Sequence, residues 1–287
     1  MRFVSDFTDF ELIDAVDGER LERWGEVLLV RPDPQVVWGG GRRSPLWDKA
    51  HARYERAASG GGHWEVYSTV PDVWSVGYMD LTFRLKPMGF KHTGLFPEQA
   101  VNWQLLHQAV KAAGRPVKAL NLFAYTGGAT LAMLSAGAQV THVDASKGMV
   151  GWARENAAQS GLETVPARWL VDDCLKFVRR ELRRGSRYDI VVLDPPSYGR
   201  GPDGEVFKLE DQLFELLTLC GQLLSDEAIC LLLNSYTTGV GNPVLRYLLE
   251  ETAAKGRGGA VTSEEIGLPV TARSLILPCG NTTLWKR

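Results

Sequence analysis

Cysteine is scarce in this chain. Four thiols, Cys174, Cys220, Cys230 and Cys279, are spread over 287 residues with no C-x-x-C pair among them. That spacing supports neither a metal knuckle nor a disulfide framework, and it suits a reducing compartment. The expectation is therefore a cytoplasmic protein without a metal. His92 and His107 stand alone, with no metal-ligand spacing. Long apolar runs are also missing: none approaches the roughly 20 residues that cross a bilayer. The opening MRFVSDFTDFELID is acidic and has no signal-peptide core. No membrane partner is expected. Charge of one sign is not in excess either. The net charge of −2 creates no global basic field that would announce nucleic acid. No internal repeat is present. Apolar content of 45% and charged content of 23% are ordinary for a globular protein, and the length allows one large core, or one core with a small domain.

The most informative absence is G-x-G-x-x-G, the turn that holds a pyrophosphate on backbone amides. In its place residues 118–146 read KALNLFAYTGGATLAMLSAGAQVTHVDAS. Residues 119–123 form a short apolar run that ends in a Tyr-Thr-Gly-Gly turn. Residues 130–135 have helical period, Gly137 stops them, and residues 139–143 form a second strand closed by Asp144. A right-handed βαβ unit directs the glycine turn and Asp144 into one crevice at the strand ends. Adjacent Gly127 and Gly128 allow close backbone approach, and Asp144 suits a ribose diol. Together they describe a site for an adenosine ligand without a phosphate cradle, of which S-adenosylmethionine is an example. Taken alone, the turn also suits an ordinary α/β core.

The βα rhythm continues beyond this unit. A helix is expected at 147–160, with Ser146 as its N-cap and Gly161 as its stop. A strand at 167–171 ends in Asp172-Asp173, and a helix follows at 175–184. A strand at 188–193 ends in Asp194-Pro195-Pro196-Ser197-Tyr198, before a helix at 208–224. A strand at 227–233 ends in Asn234-Ser235-Tyr236, and a helix occupies 243–254. Closing strands near 260–266 and 281–285 are expected to form a hairpin through residues 275–278. Alternating strands and helices call for a largely parallel sheet. Asp172 or Asp173 is placed to accept from the adenine amine, although capping the next helix is the competing use. Pro195 and Pro196 cannot continue a strand ladder. They fix the backbone where the crevice lies and leave the Asp194 carboxylate and the carbonyls as acceptors. Tyr198 is placed to stack on a planar ring.

Residues 1–88 are different in character. Short strands are expected at 27–30, 36–38, 64–67, 73–78 and 81–85, with Gly39-Gly40-Gly41 and Gly60-Gly61-Gly62 as flexible loops. Five of the nine tryptophans fall here: Trp24, Trp38, Trp47, Trp64 and Trp74. They suit the thin core of a small β-domain, with a base-stacking platform as the sharper alternative. Arg42, Arg43, Lys49, Arg53 and Arg56 suit either phosphate contacts or a solvated helix face. Arg179, Arg180, Arg183, Arg184 and Arg187 form a second basic stripe with the same two readings. Residues 86–102 are a junction, where Pro97-Glu98-Gln99 starts a helix that Gly114 and Pro116 end.

The runs NLFAYTGG, VDAS, DDC and LDPPSYGRG, in that order, resemble class I S-adenosylmethionine-dependent methyltransferases. The nearest resemblance is to the bacterial ribosomal RNA large-subunit methyltransferase family, whose best-known members make 5-methylcytosine or 7-methylguanine. KHTGLFPEQ resembles that family's segment before the first core helix, and the similarity covers about 86–287. The resemblance implies a Rossmann-like class I methyltransferase sheet, mostly parallel with one antiparallel strand near the C-terminus. In this α/β reading it occupies residues 89–287, behind a small β-rich N-terminal domain at 1–88. The implied cofactor is S-adenosyl-L-methionine. Thr93, Phe96, Phe123, Tyr125, Thr126 and Gly127 would line its methionine side, with Asn121 in the same run. Asp144, Ala145 and Ser146 would hold ribose, and Asp173, with Asp172 beside it, the adenine. Asp194, Pro195, Pro196 and Tyr198 would form the transfer site, Asp194 also bordering the cofactor.

One departure from the resemblance matters. The family's cytosine enzymes carry a cysteine nucleophile at the end of the fifth strand, where this chain reads Asn234-Ser235-Tyr236. Methylation without a cysteine, with RNA as partner and a base nitrogen as acceptor, is the leading expectation. Open beside it are a protein or small-molecule methyltransferase, a nicotinamide-dependent dehydrogenase and a silent RNA-binding module. The missing G-x-G-x-x-G argues against the dehydrogenase, and the intact Asp-Pro-Pro argues against the silent module. The sequence leaves the oligomeric state undetermined.

Overall fold

The computed structural model describes residues 1–57 and 61–287. It divides into two compact units, Met1–Val101 with Gly267–Cys279, and Asn102–Ile266 with Gly280–Arg287. The boundary read from the sequence, at 88/89, falls inside the first unit.

The first unit is β-rich. Its strands are β1 (Phe10–Val16), β2 (Glu19–Trp24), β3 (Val27–Pro32), β4 (Ala52–Arg56) and β5 (Gly62–Val66), hydrogen-bonded in that order. A separate antiparallel pair follows, β6 (Trp74–Tyr78) with β7 (Leu81–Leu85). The β1–β2 hairpin turns at Asp17 and Gly18, both left-handed at φ 53° and 79°, the geometry of an Asp-Gly two-residue turn. β2 escapes a hydropathy reading because it buries charge. Glu22 is fully buried and accepts from Arg31 Nε at 2.6 Å and Nη2 at 2.8 Å, with Arg20 Nε at 3.0 Å. Burial alone would push the Glu22 carboxyl up; Arg20 and Arg31 outweigh that and bring it down to about 2.

Several expectations for this region need correction. Residues 36–38 form no strand. Val36 is buried, and Trp38 Nε1 donates to the Ala15 carbonyl at 2.7 Å. The basic residues of 42–56 lie on no helix face: Lys49 ends a 3-10 turn (Pro45–Lys49), while Arg53 and Arg56 are in β4. Arg42 lies over the Trp47 ring at 4.5 Å, and Arg53 pairs with Glu19 at 2.9 Å. Trp24 and Trp47 are buried and the other three tryptophans half-buried, which is how a thin core is filled. Of the second glycine loop, Gly60 lies outside the described residues. Gly62 belongs to β5, where an added Cβ would overlap the Glu55 carbonyl, so glycine alone fits.

The α/β rhythm runs mainly through the second unit; of the elements that follow, residues 97–101 and 267–279 belong to the first. After a 3-10 turn at Pro97–Gln99 comes α1 (Ala100–Ala112), and then β8 (Lys118–Leu122), α2 (Gly128–Ser135), β9 (Gln139–Asp144), α3 (Lys147–Gln159), β10 (Ala167–Val171), α4 (Cys174–Arg183) and β11 (Ile190–Leu193). The short hairpin strands β12 (Tyr198–Arg200) and β13 (Val206–Lys208) precede α5 (Leu209–Leu223), β14 (Cys230–Ser235), α6 (Asn242–Glu251), β15 (Ala260–Val270) and β16 (Leu275–Lys286). The strand order is β10-β9-β8-β11-β14-β16-β15. The first five strands are parallel, and β16 runs antiparallel to β14. Residues 275–278 lie inside β16 rather than in the connection, which turns at 271–274.

Side-chain alternation divides the strands between two cores. Leu120, Leu122, Val191, Leu193, Leu231 and Leu233 pack with α4, α5 and α6 residues, including Phe177, Leu216 and Leu249. Ala119, Ile190, Val192, Cys230 and Leu232 pack with Leu106 and Val110 of α1 and Met133 of α2. Chain direction reverses in sheet order between β8 and β11, so the crevice of this doubly wound arrangement opens at their carboxyl ends. Among the described residues no helix is long and apolar enough to cross a membrane, and no His/Cys/Asp/Glu cluster is arranged to hold a metal ion.

Candidate active site

The turn after β8 is built from alternating left-handed residues. Phe123, Tyr125 and Gly127 have φ of 54°, 50° and 91°. A non-glycine residue held there costs about 1–3 kcal/mol, a strain kept only where the surroundings impose it. They do so here. The Phe123 amide donates to Cys174 Sγ at 3.3 Å, Ala124 N to the Val143 carbonyl at 3.1 Å, and Tyr125 N to Asp144 Oδ2 at 2.8 Å. Buried Asn156 donates to the Thr126 carbonyl at 2.9 Å.

The two glycines serve helix packing, a use their spacing did not reveal. A Cβ on Gly127 would meet Ala153 Cβ and Leu131 Cδ1 at 3.0 Å, and one on Gly128 would meet Trp103 Cζ2 at 2.5 Å. They let α2 start hard against α3 and the α1 tryptophan. Asn121 is likewise turned inward. It is buried, and its amide donates to Thr130 Oγ1 at 2.9 Å; Thr130 in turn lies 3.0 Å from His142 Nδ1. Burial holds the His142 imidazole down to about 3, so this chain of polar groups is uncharged.

Asp144 ends β9 and is half-buried. Its Oδ2 accepts Tyr125 N, and its Oδ1 accepts Ser146 N at 2.8 Å. Burial pushes its carboxyl up, and these two backbone donors offset part of the rise. Ala145 is half-buried; Ser146 is exposed, and its Oγ caps α3 by accepting from Met149 N at 3.4 Å. A carboxylate offers about four acceptor positions. One on each oxygen is used, leaving one on each for a vicinal diol. That arithmetic is the fit of this site to a nucleoside ribose.

At the end of β10, Asp172 is paired with Arg180, and Asp173 Oδ1 caps α4 by accepting from Lys176 N at 2.8 Å. Each acid thus has one oxygen engaged in its own helix. At the end of β11, Asp194 is half-buried, Pro195 buried and Pro196 exposed. Tyr198 begins β12 and is 51% exposed. Asn234 and Ser235 lie inside β14 rather than after it, and both are buried. Asn234 Oδ1 accepts from Asn102 Nδ2 at 3.1 Å and from Thr282 Oγ1 at 2.6 Å. All four cysteines are buried free thiols that burial pushes up, Cys230 to about 12.

Thr93 and Phe96 belong to the first unit. Thr93 is buried, and its Oγ1 has no hydrogen-bond partner among the described residues. Glu98, which the sequence marked only as a helix start, is buried there too, with Oε2 unpartnered and its carboxyl raised by burial. The second basic stripe is largely compensated: Arg179 pairs with Glu215 at 2.5 Å, Arg180 with Asp172, and Arg184 with Glu181 at 3.0 Å.

Known proteins agree with this architecture. The family model for S-adenosylmethionine-dependent methyltransferases matches residues 46–260. The crystal structure of an S-adenosylmethionine-dependent methyltransferase from Agrobacterium tumefaciens superposes with a TM-score of 0.92 at 39% identity, covering 97% of this chain and 90% of that one. SMU.776, a methyltransferase solved with S-adenosylhomocysteine, shares the fold at TM-score 0.72 and 18% identity, covering 98% of this chain and 76% of its own. The ribosomal RNA large subunit methyltransferase K/L of Shewanella sp. (strain MR-4) is 35% identical over 146 residues, which are 50% of this chain and 20% of that protein. The chain therefore spans about a fifth of the length of the curated relatives it matches. Three quarters of the chain falls within the family model, and on that ground the protein belongs to the S-adenosylmethionine-dependent methyltransferase family, with S-adenosylmethionine as its cofactor.

Proposed function

We propose that the protein methylates a nucleobase nitrogen in RNA, ribosomal RNA first among candidates, by direct transfer and without a cysteine nucleophile. The observation that carries this reading is the contrast between two strand ends. After β11, Asp194 and an exposed Tyr198 flank two prolines. In the last residues of β14, at the position where a nucleophilic thiol would stand, the buried Asn234 accepts two hydrogen bonds from its own unit. Every cysteine is buried with its thiol raised, so none supplies the thiolate that attack on cytosine requires. The 35% identity to a ribosomal RNA methyltransferase over half the chain supports RNA as acceptor.

Asp144 would hold the ribose hydroxyls of the cofactor, and the 123–127 turn its methionine side. Asp172 and Asp173 each retain an oxygen for the adenine amine. When bound, S-adenosylmethionine supplies a methyl group already activated on sulfur, so no strong acid is required of the protein. The Asp194 carboxylate would accept a proton from the reacting nitrogen, and the rigid Pro195-Pro196 carbonyls would orient its base. Tyr198 would stack on that base. We assign this chemistry to a methyltransferase domain of residues 89–287, preceded by a small β-rich domain of residues 1–88. The test is mass spectrometry of RNA nucleosides from cells with and without the protein. One methylated base that disappears and returns on complementation supports the reading. An unchanged nucleoside profile, with the label instead in protein or small molecules, overturns it.

A further inference from the structure

The segment after β11 does not end in a loose loop. Ser197 Oγ and Thr237 Oγ1 lie 2.7 Å apart, one hydroxyl donating to the other. Thr237 follows the adjacent parallel strand, β14, and is itself fixed, its amide donating to the buried Ser235 Oγ at 3.3 Å. The Ser197 carbonyl accepts from Leu209 N at 3.1 Å, closing the base of the β12–β13 hairpin. Two further anchors hold the hairpin. Buried Phe207 sets its ring 5.0 Å from that of Phe123 in the cofactor turn, and Glu205 pairs with Lys176 of α4. Phe207 faces Gly199 across the hairpin, and Tyr198 faces Lys208. Alternation therefore sends Phe207 to the core and Tyr198 to the opposite, open face.

We propose that Thr237 is a positioning residue for methyl transfer: through Ser197 its hydroxyl fixes residues 194–198, and with them the stacking face of Tyr198, relative to the neighbouring strand. This rests on the reading that residues 194–198 receive the methyl acceptor. Pro195 and Pro196 remove two backbone amide donors from that stretch. The hydroxyl bridge is a side-chain tie from it to the neighbouring strand. A displacement of about 1 Å in an aligned transfer costs on the order of 100-fold in rate, so such a tie has a measurable kinetic value.

The experiment uses the full chain and four variants: Thr237→Val, Ser197→Ala, the two combined, and Thr237→Ser. Labelled methyl transfer is measured to ribosomal RNA from cells lacking the protein, and in parallel to the protein and small-molecule fractions of the same cells. Cofactor affinity is measured by calorimetry, and amide exchange is followed across residues 197–209. Thr237→Val and Ser197→Ala should each lower kcat about 10- to 100-fold, with KM and cofactor affinity held within about twofold. The double variant should be no worse than either single, and Thr237→Ser should restore turnover. Amide exchange across the hairpin should quicken in Thr237→Val and return to normal in Thr237→Ser. Unchanged turnover and exchange in Thr237→Val, or additive losses in the double variant, would overturn the proposal. If label enters protein or small molecules instead of RNA, the RNA reading fails, and the same kinetic comparison on that acceptor decides the role of Thr237. If no fraction takes label, hairpin exchange decides it.

Discussion

The amide of Tyr125 and the carboxylate of Asp144 are joined by a 2.8 Å hydrogen bond across 19 residues of sequence. It ties a strained left-handed residue of the glycine turn to the acid that ends the next strand. The bond orients Asp144 and leaves an acceptor position on each oxygen. Asp144→Ala should therefore weaken S-adenosylmethionine binding by roughly 2–4 kcal/mol, the loss of a charged acceptor for two hydroxyls together with slackening of the turn. Calorimetry checks it. Unchanged affinity would mean that the ribose lies elsewhere.

No covalent adduct with cytosine is expected. Cys220 and Cys230 lie fully inside the core, and Cys174 is engaged by the Phe123 amide. RNA containing 5-fluorocytosine should release the enzyme unmodified in denaturing electrophoresis. Cys230→Ala should leave turnover intact and cost about 1–2 kcal/mol of stability through the small cavity it opens. A trapped adduct would refute this account.

Acid sensitivity should arrive in two windows. The His142 imidazole is held down to about 3 by burial. The unfolded chain takes up its proton near 6.5 while the native state does not, so stability falls as pH drops from about 6.5 toward 3. Buried Glu181 behaves differently. Burial would raise it, but hydrogen bonds from Tyr188, Ser186, Arg168 and Arg184 bring it down to about 2. Its contribution is fully present above about 4.5 and is lost as pH falls from there through about 2. His142→Gln should flatten urea-unfolding stability between pH 6.5 and 5 by about 1.4 kcal/mol per pH unit. Glu181→Gln should leave that upper slope alone. The reverse pattern would contradict these assignments.

Much of the second unit could be read directly because each element announces itself. Gly137 ends α2, Ser146 caps α3, and acids or prolines close successive strands. What stayed hidden is what depends on partners distant in sequence. β2 reads as polar because Glu22 meets Arg20 and Arg31 only after folding. Gly127 and Gly128 suggested ligand approach, and only the fold shows that their missing side chains also make room for Ala153 and Trp103. Asn121 reads as a ligand donor in its motif, and nothing near it in sequence showed that its amide also donates to Thr130. The β12–β13 hairpin is three residues a side, too short for period to show, and its anchor at Thr237 lies 40 residues from Ser197.

The last prediction separates chemistry from binding at the end of β11. Asp194 is half-buried and precedes two prolines, while Tyr198 stands open four residues later. If Asp194 accepts the departing proton and aligns the reacting nitrogen, its removal should be felt in the transition state more than in cofactor binding. Asp194→Ala should then lower single-turnover transfer by about 100-fold or more, the scale of a lost general base, and leave S-adenosylmethionine affinity nearly unchanged. Tyr198→Ala should mainly raise KM for the acceptor, because stacking on a base is worth about 1–3 kcal/mol and is present before and during transfer. Single-turnover transfer to the identified acceptor, alongside calorimetry for each variant, resolves the two effects. If Asp194→Ala keeps full turnover, the acceptor lies elsewhere, and the two prolines do no more than stop a strand.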